Sequence, residues 1–264
     1  MLLAVDVGNT HTTLGLFGDD SRLDGTWRIS TDRERTADEY GVAFSSLLQT
    51  GGHARAAVSA LAIACVVPPA VPPLREMSRR YFGADALLVE PGVRTGIAIR
   101  TDTPREVGAD RIANAVAAHE RYGSPVVVVD LGTAITLDAI SEAGDYLGGI
   151  IAPGMAIAAE ALFARAAKLP RVELRAPEQV IGKNTVASIR SGLVYGFASL
   201  IDGLVERVVR ELAPPEGRGV RVISTGGHSA LLADEVKRIE SSEPDLTLHG
   251  IHCIWTRNRA GGAR

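Results

Sequence analysis

Cysteine is scarce in this chain: two residues, Cys65 and Cys253, among 264. Each stands in an apolar context, so two buried thiols in a reducing compartment are expected rather than a disulfide framework. A basic excess is also missing. Lys and Arg number 28 against 31 Asp and Glu, a net charge of −3, without the electrostatic footprint of a nucleic-acid or membrane-surface binder. No long apolar run is unbroken. The opening run stops at Asp6, and the stretch from Val58 to Leu74 carries Pro68, Pro69, Pro72 and Pro73, so no ordinary membrane helix is expected. The N-terminus lacks the positive region and cleavage site of a signal peptide, and a cytoplasmic protein is expected. With 46% hydrophobic and 22% charged residues, the composition suits one or two globular domains with a sizeable core.

What is present is a pattern that occurs twice. Residues 2–6 and 12–17 read as strands rich in Leu, Val and Thr, joined by a tight turn at Gly8 and Asn9. A third strand is expected at Thr26 to Ser30. Thr36-Ala-Asp-Glu39 has the form of a capping box and opens a helix through about Gln49. Leu61 to Val67 is a continuous apolar run, the pattern of a strand covered on both faces. A helix over Val71 to Tyr81 and a short strand at Ala86 to Val89 follow.

The second half repeats this opening. Ser124-Pro125 leads into four valines ending at Asp130, Leu131-Gly132-Thr133 turns the chain, and Ile135 to Ile140 returns. A third strand runs to about Ile151. Helices follow Pro153-Gly154 and span Thr185 to Leu212, and Val220 to Ser224 is a further strand. Asp6 and Asp130 thus hold equivalent places, and the duplication predicts two α/β lobes facing each other across a cleft. Pro214, Pro215, Gly217 and Gly219 mark a surface loop. The predicted lobes are residues 1–115 and 116–256, with a disordered tail at 257–264.

The repeated turns carry the chemistry. In "DVGNT", glycine lets a phosphate approach the backbone closely, with Asn9, Thr10 and Thr12 as further donors. Asp6 by itself repels phosphate, and it makes sense beside one when a cation lies between them. Asp130, Gly132, Thr133 and Thr136 in "DLGTAIT" supply the same set. Two such turns can hold a nucleotide polyphosphate with its metal, a phosphoryl-transfer site without a P-loop. Aspartic proteases also pair two Asp-x-Gly turns, but they place Ser or Thr directly after the Asp, where this chain has Val7 and Leu131, and the helix content argues against them.

Thr103-Pro104 with Glu106 resembles a helix start, Gly108 interrupts, and a helix runs from about Asp110. Asp110 is either a charge at a helix N-terminus or an acceptor for a substrate hydroxyl. Thr225-Gly226-Gly227 is a strand-to-helix turn that could approach a base and ribose. "GKNT" at 182–185 ends like a P-loop, but Pro177 stands where the leading glycine belongs. His249 and His252, near Cys253, read as packing residues rather than a metal pair.

With these residues assembled, the chain resembles the type III pantothenate kinases, of the acetate and sugar kinase, heat-shock chaperone and actin superfamily. The resemblance rests on "DVGNT" at 6–10, "PREVGADRIAN" at 104–114, "DLGTAIT" at 130–136, "GGIIAPG" at 148–154, "GKNT" at 182–185 and "TGG" at 225–227. It implies an α/β fold of two duplicated ribonuclease-H-like (actin-like ATPase) domains and ATP-dependent phosphorylation of pantothenate, the first step of coenzyme A synthesis. It further implies that Asp6, Val7, Gly8, Asn9, Thr10, His11, Thr12, Thr13 and Thr133 bind ATP, with Mg2+ alongside Asp6. Gly108, Ala109, Asp110, Arg111 and Thr185 would bind substrate, with Asp110 the proton acceptor. Asp130 would hold a monovalent cation, potassium or ammonium, and the protein would be a homodimer with its substrate site near the subunit interface.

The chain departs from the family pattern at two places. Thr101 stands where the family commonly has a substrate-touching tyrosine, and Ile135 where the second phosphate motif has a hydroxyl. These departures keep open a second possibility, a weakly active or inactive homologue with an accessory or regulatory role, like the Bvg accessory factors.

Overall fold

Both apolar runs that end in a carboxylate form the central strands of mixed sheets. The computed structural model describes residues 1–212 and 219–259. In its first half, β1 (Leu2–Val7), β2 (His11–Phe17), β3 (Leu23–Ser30), β4 (Ala60–Cys65) and β5 (Leu87–Leu88) make a sheet of order β3-β2-β1-β4-β5. In the second, β6 (Val126–Leu131), β7 (Ala134–Ile140), β8 (Tyr146–Pro153), β9 (Arg221–Thr225) and β10 (Ser241–Ser242) make the order β8-β7-β6-β9-β10. The two orders are the same. β1 pairs antiparallel with β2 and parallel with β4, and β6 pairs antiparallel with β7 and parallel with β9. Such strands are flanked on both sides and covered on both faces, which is why their sequences are unbroken aliphatic runs. At the other extreme, the edge strand β3 alternates half-buried and exposed residues along its length, the pattern of a strand with one covered face.

The helices follow the local signals. α1 (Ala37–Thr50) starts at a complete capping box: the Thr36 hydroxyl accepts from the Glu39 amide, and the Glu39 carboxylate accepts from the Thr36 amide at 2.8 Å. Its Tyr40, Phe44 and Leu48, four residues apart, are fully buried on β1 and β4 side chains such as Val5 and Ile63. Each such side chain contributes about 1.5–3 kcal/mol on burial. α2 (Val71–Phe82) takes its prolines in the first turn, where no helical amide is lost, and stops at Gly83 in the left-handed conformation (φ 66°). α3 (Ala109–Tyr122), α4 (Met155–Arg165), α5 (Thr185–Leu212), α6 (Ser229–Leu232) and α7 (Leu246–Arg259) complete the set.

Two compact units result. One comprises Met1–Ala98, Asp102–Ala117 and the chain from Leu246; the other comprises Ile99–Thr101 and Ala118–Asp245. A division at residues 115 and 116 therefore differs from the observed units mainly at the C-terminus. α7 packs on β1, β2 and β4 of the first sheet. Thr247 donates to the Asn114 side chain of α3 at 2.7 Å, and Gly250 sits directly on the Ala113 backbone. Sequence reasoning did not anticipate α7, whose apolar residues form no continuous stripe and whose centre is a glycine. Of the tail expected to be disordered, residues 257–259 are its last turn, and the remainder lies outside the described residues, as do Pro214, Pro215 and Gly217.

His249 and His252 pack as expected. The His252 ring stacks on Phe17 at 4.6 Å and the His249 ring meets Phe17 edge-on at 5.4 Å. Burial pushes the His252 pKa down. Cys65 and Cys253 are half-buried rather than buried, and neither forms a disulfide. No helix is long and apolar enough to cross a membrane among the described residues.

Candidate functional site

The equivalence of Asp6 and Asp130 extends to their neighbours. Each is the penultimate residue of its central strand, half-buried beside four fully buried predecessors. Asp6 pairs with Thr13 and Ala64, and Asp130 with Thr136 and Thr225. The turn that follows is closed in both copies by the glycine amide: Gly8 donates to the His11 carbonyl at 3.0 Å and Gly132 to the Ala134 carbonyl at 3.1 Å. Those two amides are thus spent inside the hairpins rather than pointing outward, and the exposed groups are those of Asn9, Thr10, His11 and Thr133. Thr12 is also turned inward. It is fully buried, with its hydroxyl 2.9 Å from that of Thr31, and it holds the loop from behind together with the buried Val7.

Ile135 is the counterpart of Thr12, since Thr12 pairs with Val7 and Ile135 with Leu131. It lies on the sheet face opposite Asp130, 1% exposed, in the aliphatic cluster with Leu131, Met155 and Val194. The departure from a hydroxyl at this position therefore fills a core site.

In the first unit the end of β4 joins the Asp6 turn to Asp110. The Val66 amide donates to the Val7 carbonyl at 3.0 Å. A Cβ on Gly108 would come 3.6 Å from the Val66 side chain and 2.5 Å from an Asp110 carboxylate oxygen. Glycine at 108 thus leaves room for the carboxylate, which accepts from the Arg111 amide at 2.7 Å. Burial pushes the Asp110 pKa above the ordinary carboxylate value, against the lowering effect of that amide and of the Arg111 charge. Ala109 is buried in the first turn of α3.

In the second unit two glycines, Gly154 and Gly226, crowd the Asp130 turn. A Cβ on Gly226 (φ +92°) would lie 2.5 Å from an Asp130 carboxylate oxygen and 2.7 Å from the Leu131 backbone. One on Gly154 would lie 2.2 Å from the Thr133 carbonyl oxygen. The signal for both was present as "APG" and "TGG", glycines directly after strands, where close backbone approach demands them. Thr185, exposed at the start of α5, lines a separate concavity of about 800 Å³ with Lys183, Asn184 and Leu162, which Asp130 and Thr133 do not line. Asn184 caps α5 by accepting from the Ala187 amide at 2.9 Å. Thr101 lies beside Gly148, and its hydroxyl is buried without a hydrogen-bond partner.

The donor set suits a metal carried by phosphate rather than by the protein. Among the described residues no three His, Cys, Asp or Glu side chains converge as a ligand cluster, whereas single carboxylates flank exposed hydroxyl and amide groups. Magnesium commonly binds through one or two carboxylates and substrate phosphates.

Residues 2–207 match the family described as type III pantothenate kinase. Type III pantothenate kinase 2 of Symbiobacterium thermophilum is 52% identical over 98% of this chain and 98% of its own length. The type III pantothenate kinase of Anaeromyxobacter sp. is 52% identical over 98% and 100%, and that of Streptomyces coelicolor 50% over 98% and 98%. Among solved structures, a protein from Campylobacter jejuni described as a Baf family transcriptional activator superposes with a TM-score of 0.61 at 22% identity, covering 98% of this chain and 99% of that one. The activator of 2-hydroxyisocaproyl-CoA dehydratase from Clostridium difficile, with bound ADPNP, gives 0.53 at 11% identity over 99% and 96%. At these identities the structural likenesses bear on the fold alone, two α/β units with one strand order.

Proposed function

Because this chain belongs to the type III pantothenate kinase family, we propose that it transfers the γ-phosphoryl group of ATP to the primary hydroxyl of pantothenate, giving 4′-phosphopantothenate for coenzyme A synthesis. The observation that carries the site assignment is Asp110: a recessed carboxylate at the start of α3, held by the Arg111 amide and spared a clash by Gly108. The substrate hydroxyl donates its proton to Asp110 as its oxygen bonds to the γ-phosphorus. The bond from that phosphorus to the bridging oxygen breaks, and ADP leaves. Phosphoryl transfer asks mainly for positioning and charge stabilisation, so a carboxylate with a raised pKa serves as the base.

The turn Asp6 to Thr13, with Thr133, takes the nucleotide, and Asp6 would help hold the magnesium that ATP brings. That metal, when bound, neutralises charge on the phosphates. Gly108 to Arg111 and Thr185 take pantothenate. Asp130, with a carboxylate oxygen close to Gly132 and Gly226 and Thr136 across the ladder, holds a monovalent cation. A homodimer is supported by apolar side chains left exposed in the second unit, among them Ile151 at 68% and Ile181 at 81%.

The test is purified protein with pantothenate, Mg-ATP and potassium, with 4′-phosphopantothenate detected by mass. Product is expected, with a lower rate in sodium. No product across a wide ATP range would refute the kinase, and equal rates in both salts would refute the cation role of Asp130.

A further inference from the structure

The segment Thr31-Asp-Arg-Glu-Arg-Thr36, between β3 and α1, is fastened to the first phosphate turn. The Thr31 amide donates to the Thr10 carbonyl at 2.9 Å, the Thr31 and Thr12 hydroxyls meet at 2.9 Å, and Arg33 donates to the Asn9 side-chain oxygen at 3.4 Å. The same segment carries Arg35, whose guanidinium carbon lies 5.3 Å from the ring centre of Tyr40. Tyr40 is fully buried. Its phenol oxygen and one terminal nitrogen of Arg35 are both buried without a hydrogen-bond partner. Tyr40 belongs to the core cluster that includes Val7, and Cys65, the ladder partner of Val7, packs against that cluster, so the ring lies near the end of β1 where the turn begins.

A guanidinium cannot shed its proton, and a buried donor without an acceptor is costly. Two of the acids near Arg35 already accept hydrogen bonds from the chain around them. Asp32 accepts from the Glu34 amide at 3.0 Å, and Glu39 from the Thr36 amide and hydroxyl at 2.8 and 2.9 Å. One anionic oxygen would accept from both Arg35 and Tyr40 and balance the charge. The turn itself needs such a cation, since Asp6 to Thr13 contains no Lys or Arg and opens on a carboxylate. Arginine is well matched to phosphate oxygens.

We propose that Arg35, assisted by the Tyr40 hydroxyl, contacts the polyphosphate of the nucleotide held by the Asp6–Thr13 turn, supplying the positive charge that turn lacks. This rests on the kinase function proposed above and adds a residue to its nucleotide site. The test is isothermal titration of the full chain with Mg-ATP and, separately, with AMP. Arg35→Met is expected to weaken Mg-ATP about tenfold or more, the scale of a lost charged hydrogen bond, with AMP changed less than about twofold. Equal Mg-ATP affinity in Arg35→Met and wild type, or equal losses for the two nucleotides, would overturn it. If Arg35→Met lacks the wild-type circular dichroism spectrum, Arg35→Lys and Tyr40→Phe decide. A loss of about threefold or more for Mg-ATP in either supports the contact, and wild-type affinity in both refutes it. Turnover of pantothenate by the wild-type protein separates the two hypotheses. Turnover with an unaffected Arg35→Met sinks only the arginine contact, and a selective Mg-ATP defect without turnover sinks only the kinase.

Discussion

At the scale of single residues, Asp110 sets function against stability. Its pKa is raised, chiefly because burial disfavours the ionised form. The folded chain therefore holds the proton more tightly than the unfolded one. That contribution to stability is fully present below the ordinary carboxylate pKa and is lost as pH rises through the raised folded value. At neutral pH the ionised carboxylate that the proposed base role requires thus costs stability. Asp110→Asn is expected to lower kcat by about 10²-fold or more. The same variant should melt at a higher temperature than wild type at pH 7, with the gap narrowing in acid. Near-normal turnover would remove Asp110 from the base role, and a lower melting temperature would contradict the desolvation argument. The sequence placed Asp110 at a helix start and left two roles open. Whether that carboxylate was solvated or recessed depended on Val66 and Gly108 closing around it, which no local pattern encodes.

Elements divide by how local their determinants are. α1 announced itself through Thr36 and Glu39, and its capping box formed as the spacing required. α5 began at Thr185 as expected, and the strands ending in Asp6 and Asp130 were legible as aliphatic runs. α7 was not. Its stability comes from contact with β1, β2 and β4, from the Thr247–Asn114 hydrogen bond and from Gly250 against α3. A Cβ at 250 would fall 1.9 Å from the Ala113 carbonyl oxygen, a backbone atom that cannot swing aside. Gly250→Ala, favourable in an isolated helix, should here destabilise the protein by about 1–3 kcal/mol, as overpacking does. Urea unfolding monitored by circular dichroism measures it, and an unchanged midpoint would show that α3 and α7 are not so closely apposed.

For the whole molecule, the duplication was readable from two echoing stretches, and the two sheets share one strand order. The composition offered no hint of where the chain would leave apolar surface uncovered. On β8, Leu147 and Ile151 point to solvent, and on α4 so do Ile157, Leu162 and Phe163. If these residues form the dimer contact, Ile151→Asp should shift the molar mass measured by light scattering from dimer to monomer. A wild-type monomer, or a dimer unaffected by that change, would place the contact elsewhere or nowhere.

By itself the sequence determined the class of fold, the equivalence of Asp6 with Asp130 and the family, because strand runs, turn glycines and the Glu106–Arg111 block are local and survive without a partner. Only the tertiary structure decided which polar groups of those motifs face outward. It turned Thr12 and Ile135 into the core, spent the Gly8 and Gly132 amides inside their hairpins, set Gly226 against Asp130, and left one terminal nitrogen of Arg35 and the Tyr40 phenol oxygen buried without a hydrogen-bond partner. The reason is physical. A side chain's neighbours across a sheet or between helices come from distant parts of the chain, and hydrogen-bond satisfaction and burial are properties of those neighbours, not of the residue.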